Sequence, residues 1–325
     1  MIQKFINGLA KCKKPGLISH ISPDGDAIGS QLALYYWFLQ QKADPVMFND
    51  DYVPSNLRWL ANQEKILVPE MSLLDQCDSF VFIDGNEPHR FGKMAEYFRN
   101  TDKPVYLVDH HLNPPENYYS GTLWDAEASS TAWLVFKMFE KKGLKHITSD
   151  VAEALYCGIL TDTGSFRFNT VTAATHFATG KIIQYGGISP AEIYSRIYED
   201  KSLGEYHLLG KALDNIRLYC DGKVAAMMVS EKMLKESGCS MDDLEGFVNF
   251  PLSIKSVLVS VFLYEKEGRI KASLRGKSIL DLNRVARAFD GGGHYNAAGA
   301  WHAGPMEDAI SEITAKIKQN LDGCG

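Results

Sequence analysis

The chain has no C-x-x-C pair; its six cysteines (Cys12, Cys77, Cys157, Cys220, Cys239 and Cys324) are scattered along 325 residues. That spacing argues against a zinc knuckle and against a disulfide framework. No run of about 18 apolar residues occurs, so no segment is expected to span a membrane. Residues 1–14 carry lysines but no apolar stretch of signal-peptide length, and the chain is expected to be cytoplasmic. Basic residues are not in excess either: 34 Lys and Arg against 40 Asp and Glu leave a net charge of −6. A protein that tracks a long nucleic-acid strand needs a positively charged groove, so long nucleic acid is not an expected partner. An anionic substrate must instead meet local positive charge or metal. Internal repeats and low-complexity tracts are absent as well. What remains is an ordinary globular composition, 45% hydrophobic and 23% charged, at a length that fits two domains.

In the first half, short apolar runs alternate with segments of helical period. Strands are predicted over 17–20, 45–48, 80–83 and 105–108, and helices over 27–40, 129–140 and 151–160, the last capped by Ser149 or Asp150. This alternation implies an α/β fold, a mostly parallel sheet flanked by helices. The aromatic run Tyr35-Tyr36-Trp37-Phe38 sits at helical spacing and reads as core packing. Helical segments over 172–185, 190–197 and 202–216 have no strand between them, and Gly186-Gly187 punctuates the stretch. The expected organisation is an N-terminal domain over 1–187, a helical connector over 188–216, and a smaller C-terminal α+β domain over 217–325. Strands are predicted there over 217–219, 224–229, 256–264 and 269–275, and helices over 280–289 and 306–321, with turn dipeptides at Asp221-Gly222 and Glu267-Gly268.

Acidic clusters follow four of the apolar runs: His20-Ile21-Ser22-Pro23-Asp24-Gly25-Asp26, then Asp84, then Asp109-His110-His111, then Asp162. Taken singly, Asp84 reads as a turn former or helix cap, and Asp24-Gly25-Asp26 as a turn. Taken together, they place carboxylates and imidazoles at the mouths of buried elements, where such groups are costly unless something neutralises them. Divalent cations would do so. In parallel sheets ligands bind beyond the carboxyl ends of the strands, where three of the clusters fall. Gly25 is expected to supply unusual backbone dihedrals that let Asp24 and Asp26 converge. His20, Asp24, Asp26, Asp84, His110 and Asp162 make six candidate ligands, enough for two cations sharing a carboxylate. A mixed nitrogen and carboxylate set suits manganese, iron, cobalt or zinc better than calcium or magnesium alone.

In the second domain, Gly291-Gly292-Gly293-His294 offers closely spaced backbone N–H groups and a ring donor for an anion. Arg275, after Ser273-Leu274, could pair bidentately with a phosphate. Ser165 and Arg167, just past Asp162, are weaker candidates for substrate contact.

His-x-x-x-Asp-x-Asp, a lone Asp after the next strand, Asp-His-His and Thr-Asp-Thr-Gly-Ser-Phe resemble, in order and spacing, the motifs of the DHH phosphoesterases. That family includes RecJ exonucleases, nanoRNases and family II inorganic pyrophosphatases. The resemblance implies that His20, Asp24 and Asp84 hold one metal and that Asp26, Asp84, His110 and Asp162 hold the other. Manganese is the family's usual metal; magnesium or cobalt would also serve. By the same resemblance His111 faces the substrate phosphate and helps protonate the leaving oxygen, and Asp109 orients its neighbour. His111, Asp84 and Asp109 are thus expected to carry the chemistry. Ser273-Leu274-Arg275, the glycine run and Ala297-Ala298-Gly299 resemble the DHH-associated C-terminal domain, which grips the nucleotide end of the substrate. Asp290 departs from that pattern, since many relatives carry glycine there.

The expected function is a two-metal phosphoesterase acting on short oligoribonucleotides, and on the 3′-phosphate of adenosine 3′,5′-bisphosphate. The alternatives are a linear or cyclic dinucleotide phosphodiesterase, a family II-type inorganic pyrophosphatase and, from another class, a non-catalytic nucleotide-binding regulator. Short oligoribonucleotides or small nucleotides are the expected partners, no membrane is involved, and a homodimer is left open.

Overall fold

A computed structural model describes residues 2–266, 268–277, 280–293 and 295–322. Two compact units divide the chain, Met1–Asp200 and Lys201–Gly325. Among the described residues no helix is long and apolar enough to cross a membrane.

The first unit is built on six strands: β1 (Pro15–Ser19), β2 (Val46–Phe48), β3 (Ile66–Leu67), β4 (Ser79–Ile83), β5 (Val105–Asp109) and β6 (Gly121–Trp124). They pair in the order β3-β2-β1-β4-β5-β6, and every neighbouring pair is parallel. β1, β4 and β5 are buried along their whole length. Continuous apolar runs are what a parallel sheet covered on both faces requires. One face contributes Leu17, Val81, Ile83 and Val108 to the main core. The other contributes Ile18, Phe80, Phe82 and Leu107 to a second core with Phe91 and Phe98. Removing one such ring, as in Phe82→Ala, costs about 3–5 kcal/mol.

Among the described residues of this unit the helices are α1 (Ile2–Leu9), α2 (Gly25–Leu39), α3 (Met71–Gln76), α4 (Ala95–Asn100), α5 (Thr131–Lys142), α6 (Ser149–Asp162), α7 (Ala173–Gly186) and α8 (Pro190–Tyr198). α2 is buried almost all round, Trp37 and Phe38 included, so its aromatic run packs the core. Gly29 lets it approach the Ala154 carbonyl of α6. The cap of α6 is Thr148, whose hydroxyl accepts the Val151 amide at 3.4 Å. Ser149 and Asp150, expected as caps, lie inside the first turn instead. α1, α3, α4, β3 and β6 fall outside the predicted elements. α1 is held by Phe5 and Leu9 in the main core, a tertiary reason that eight residues do not advertise.

The second unit has a mixed sheet of β7 (Arg217–Tyr219), β8 (Val224–Val229), β9 (Val259–Lys266), β10 (Arg269–Gly276), β11 (Gly292–Gly293) and β12 (Ala297–His302), ordered β11-β12-β10-β9-β8-β7. Among the described residues β8 and β9 run parallel and the other neighbouring pairs antiparallel. α12 (Leu282–Arg287) and α13 (Met306–Asp322) contribute Leu282, Val285, Ile310, Ile313 and Ile317 to one core. α9 (Leu203–Asp214), α10 (Glu231–Ser237) and α11 (Asn249–Leu252) complete the unit, and Leu208 and Leu234 join Met227 in another core. The helical stretch read as a connector is divided in packing. Ile193 and Ile197 of α8 join the core of the first unit, and Leu208 and Ala212 of α9 that of the second.

Candidate metal centre

The three strands at the middle of the first sheet each end in candidate ligands. His20 follows β1, Asp84 follows β4, and His110 and His111 follow Asp109, the last residue of β5. Since the strands are parallel, these ends share one edge. Strand order reverses between β1 and β4, the switch point at which open α/β sheets place their ligands. Asp84 takes a left-handed backbone, φ 57°, a conformation that short polar Asp tolerates better than most residues. Asp24 and Asp26 come from the start of α2, and Asp162 ends α6.

These six side chains converge. His20 Nε2 lies 3.5 Å from Asp84 Oδ2. His110 Nε2 lies 3.6 Å from Asp84 Oδ1, 3.4 Å from Asp162 Oδ2 and 4.0 Å from Asp26 Oδ2. Ligand atoms of His20, Asp24 and Asp84 stand within 4.8 Å of one another, and so do those of Asp26, His110 and Asp162. Both imidazoles are fixed by carbonyls: His20 Nδ1 is 2.8 Å from the Ile21 oxygen and His110 Nδ1 is 3.2 Å from the Ala128 oxygen. A carbonyl only accepts, so each Nδ1 carries the hydrogen and each Nε2 faces the carboxylates.

The electrostatics fit a cation. Burial raises the Asp26 carboxyl well above its ordinary range, reinforced by the charges of Asp84, Asp162 and Asp24 and opposed by the Ala132 amide. Burial also acts to raise Asp84, but the His20 hydrogen bond and the charges of His111, His110 and His20 outweigh it and hold that carboxyl well below. The histidines respond in kind. Burial disfavours charge on His20, yet its bond to Asp84 and the charges of Asp24 and Asp84 raise its pKa. His110 is likewise raised, with Asp162 and Asp84 overcoming burial. Burial and mutual repulsion thus favour a proton on Asp26, the neighbouring carboxylates favour protons on His20 and His110, and divalent cations would displace them. Neither Asp26 nor Asp84 has a lysine or arginine ion-pair partner among the described residues. Four carboxylates and two imidazole nitrogens form a donor set suited to such ions.

Several supporting contacts escaped sequence reasoning. Asp26 accepts the amides of Thr131 at 2.6 Å and Ala132 at 2.8 Å, the opening residues of α5. Helix N-termini favour anions in this way. The Thr131 hydroxyl donates to Asp84 Oδ1 at 2.8 Å, so one residue steadies two ligands. The available signal was Ser129-Ser130-Thr131, three hydroxyl residues where a single cap, Ser130, suffices. Asp24 Oδ1 caps α2 by accepting the Asp26 and Ala27 amides, each at 3.0 Å. Gly25 has a different reason from the one expected. It opens α2 and is not among the positive-φ glycines; a Cβ there would collide with the Thr161 side chain.

His111 Nδ1 lies 2.7 Å from Asp109 Oδ1 and 3.6 Å from Asp84 Oδ1. Asp109 is fully buried, and its Oδ2 has no partner among the described residues. With Nδ1–H committed to Asp109, His111 could meet a ligand only through Nε2. Ser165 and Arg167 lie on the loop after α6, where Gly164, Ser165 and Phe166 are left-handed in succession. Arg167 is exposed and its Nε donates to the Gly164 carbonyl.

In the second unit, Arg275 on β10 donates to the Leu274 carbonyl at 3.1 Å. Gly291 and Gly293 are required by close backbone approach: a Cβ on either would meet the β12 main chain. The Gly291 amide donates to the Ala286 carbonyl at 3.0 Å, and Gly292 is exposed. The Asp290 carboxylate lies 3.8 Å from Arg269. His294 lies outside the described residues.

A family model described as the DHH family N-terminal domain matches residues 16–159, and one described as the DHHA1 domain matches residues 221–323. The chain is 28% identical over 321 residues to a Thermus thermophilus protein named bifunctional oligoribonuclease and PAP phosphatase NrnA, covering 95% of this chain and 90% of that one. A Bacillus subtilis protein of the same name is 28% identical over 287 residues, with 86% and 87% covered. Among solved structures, the chain is similar to an exopolyphosphatase-related protein from Bacteroides fragilis, at 32% identity and a TM-score of 0.92, with 99% and 97% covered.

Proposed function

The chain belongs to the DHH family, and on that premise we propose a metal-dependent phosphoesterase that hydrolyses short oligoribonucleotides and the 3′-phosphate of adenosine 3′,5′-bisphosphate. The observation that carries this reading is the convergence of six ligand side chains from separate segments on one sheet edge. The relatives at 28% identity, which span most of the chain, carry both activities in their names.

His20, Asp24 and Asp84 would hold one divalent cation. Asp26, Asp84, His110 and Asp162 would hold a second, with Asp84 shared. The donor set favours manganese, with magnesium or cobalt as substitutes. When bound, the pair supplies a water activated near neutral pH and neutralises charge on the phosphate.

The chain's own residues do the rest. Thr131 and the α5 amides fix the Asp26 and Asp84 oxygens before substrate arrives, so little reorganisation is needed. Asp109 anchors Nδ1–H of His111 and turns Nε2 toward the substrate, where His111 gives a proton to the leaving oxygen. Ser165 and Arg167, just past Asp162 in the chain, are the further residues proposed to contact substrate. Catalysis is assigned to residues 1–187 and the nucleotide grip to residues 217–325, through Arg275, the glycines at 291–293 and His294. Residues 188–216 connect them. The cytoplasm is the compartment proposed for this activity.

Turnover of adenosine 3′,5′-bisphosphate, pApA, a five-nucleotide RNA, a cyclic dinucleotide and pyrophosphate, each with Mn²⁺, tests this reading. Hydrolysis of the bisphosphate, pApA and the pentamer is expected. Rapid turnover of pyrophosphate alone would transfer the chain to the pyrophosphatases, and tight nucleotide binding without turnover to a regulatory class.

A further inference from the structure

Between Asp84 and α4 the chain makes a loop over residues 85–94 that is anchored on three sides. Phe91 is fully buried, its ring 4.1 Å from that of Phe82. Gly92 turns with φ +56° against the Asp50 carboxylate, which accepts the Lys93 amide at 3.0 Å. Between β1 and this loop, the Arg90 carbonyl accepts the Ile21 amide at 2.8 Å, one residue beyond His20. Main chain and Phe91 therefore hold the loop in place. The Arg90 side chain takes no part in that.

Arg90 is half-buried, on main chain that is hydrogen-bonded to the residue after His20. The acids nearest it in the chain and on the adjoining loop are engaged elsewhere. Glu87 pairs with His89 at 2.9 Å, Asp50 with Lys93, and Asp51 accepts the Ser22 amide at 2.7 Å. Among the described residues the Arg90 guanidinium makes no hydrogen bond and no ion pair. A half-buried cation without a carboxylate is costly to keep, unless its partner arrives with the substrate. The planar guanidinium fork matches phosphate oxygens two at a time.

We propose that Arg90 grips the reacting phosphate, a contact supplied by the catalytic unit itself and independent of Arg275. The proposal rests on the phosphoesterase reading for its substrate. Asp50 and Gly92 act as positioning residues for it.

The test uses Arg90→Gln and Arg90→Lys in the full chain with Mn²⁺. Hydrolysis of bis(p-nitrophenyl) phosphate is measured beside pApA, since that diester has one phosphate and no nucleotide end for Arg275 to grip. Losing a charged hydrogen bond predicts a fall of about 10–100-fold in kcat/KM for Arg90→Gln on both esters. Arg90→Lys should recover only part, because an ammonium cannot reproduce the fork. Bound Mn²⁺ per chain and Tm should stay at wild-type values. Activity within threefold of wild type overturns the proposal, as does loss of Mn²⁺ in parallel with activity. Calorimetric binding of inorganic phosphate to the Mn²⁺-loaded protein separates the two readings. If wild type cleaves neither ester but Arg90→Gln binds phosphate at least tenfold more weakly, the grip stands and the phosphoesterase assignment falls. Equal phosphate affinity removes the grip.

Discussion

Asp109→Asn separates the orientation of His111 from the integrity of the metal centre. Asp109 is fully buried, with Oδ1 2.7 Å from His111 Nδ1 and Oδ2 unpartnered among the described residues. Asparagine has the same shape and keeps an oxygen to accept Nδ1–H, so the ring stays in place while the charge is lost. A hydrogen bond to a charged group contributes about 1.5–3 kcal/mol and a neutral one about 0.5–1.5. The difference, about 1–1.5 kcal/mol, predicts a fall of roughly 5–10-fold in kcat. Stability should not follow. The amide nitrogen takes the place of the unpartnered Oδ2 and leaves its own N–H groups unpaired, which offsets the gain from removing a buried charge, so Tm is expected to change little. The assay is steady-state hydrolysis of pApA, with Mn²⁺ content and a thermal melt on the same samples. An unchanged kcat would show that Asp109 does not orient His111. Loss of Mn²⁺ would put Asp109 among the ligands instead.

Asp84→Asn should reduce bound Mn²⁺ from two per chain to less than one and abolish hydrolysis, because Asp84 faces both ligand groups; retention of two ions by mass spectrometry would contradict this. Arg275→Ala should raise KM about tenfold with kcat nearly unchanged, and an equal fall in kcat would refute a purely gripping role. Hydrogen bonds from Lys137 and Lys181 hold the Glu140 carboxyl below its ordinary range against partial burial. A depressed folded pKa stabilises above the unfolded value and is lost as pH falls through the folded one. These groups are partly exposed, so Glu140→Gln should cost only about 0.5 kcal/mol at neutral pH and nothing at acid pH. Urea unfolding at both pH values checks this, and an equal cost at both would refute it.

Much of the centre was legible because parallel strands buried on both faces leave uninterrupted apolar runs. The residue after such a run stands at the carboxyl edge. That logic locates His20, Asp84 and His110 without any knowledge of strand order. It fails for β6, whose Gly121–Trp124 has only Leu123 buried, and for α1. It also misjudges Gly25, where a neighbouring helix sets the constraint. Nothing local announces that the amide of Thr131 meets Asp26 across 105 positions, or that the loop after Asp84 returns Arg90 to His20.

Residue chemistry and its order along the chain are enough to specify the donor types, the strand ends that bear them and the family they resemble. Which oxygen meets which nitrogen was decided in three dimensions. It depends on β1, β4 and β5 lying side by side and on the α5 N-terminus reaching Asp26. Those are contacts between segments far apart in the chain, and no pattern of neighbouring residues encodes them.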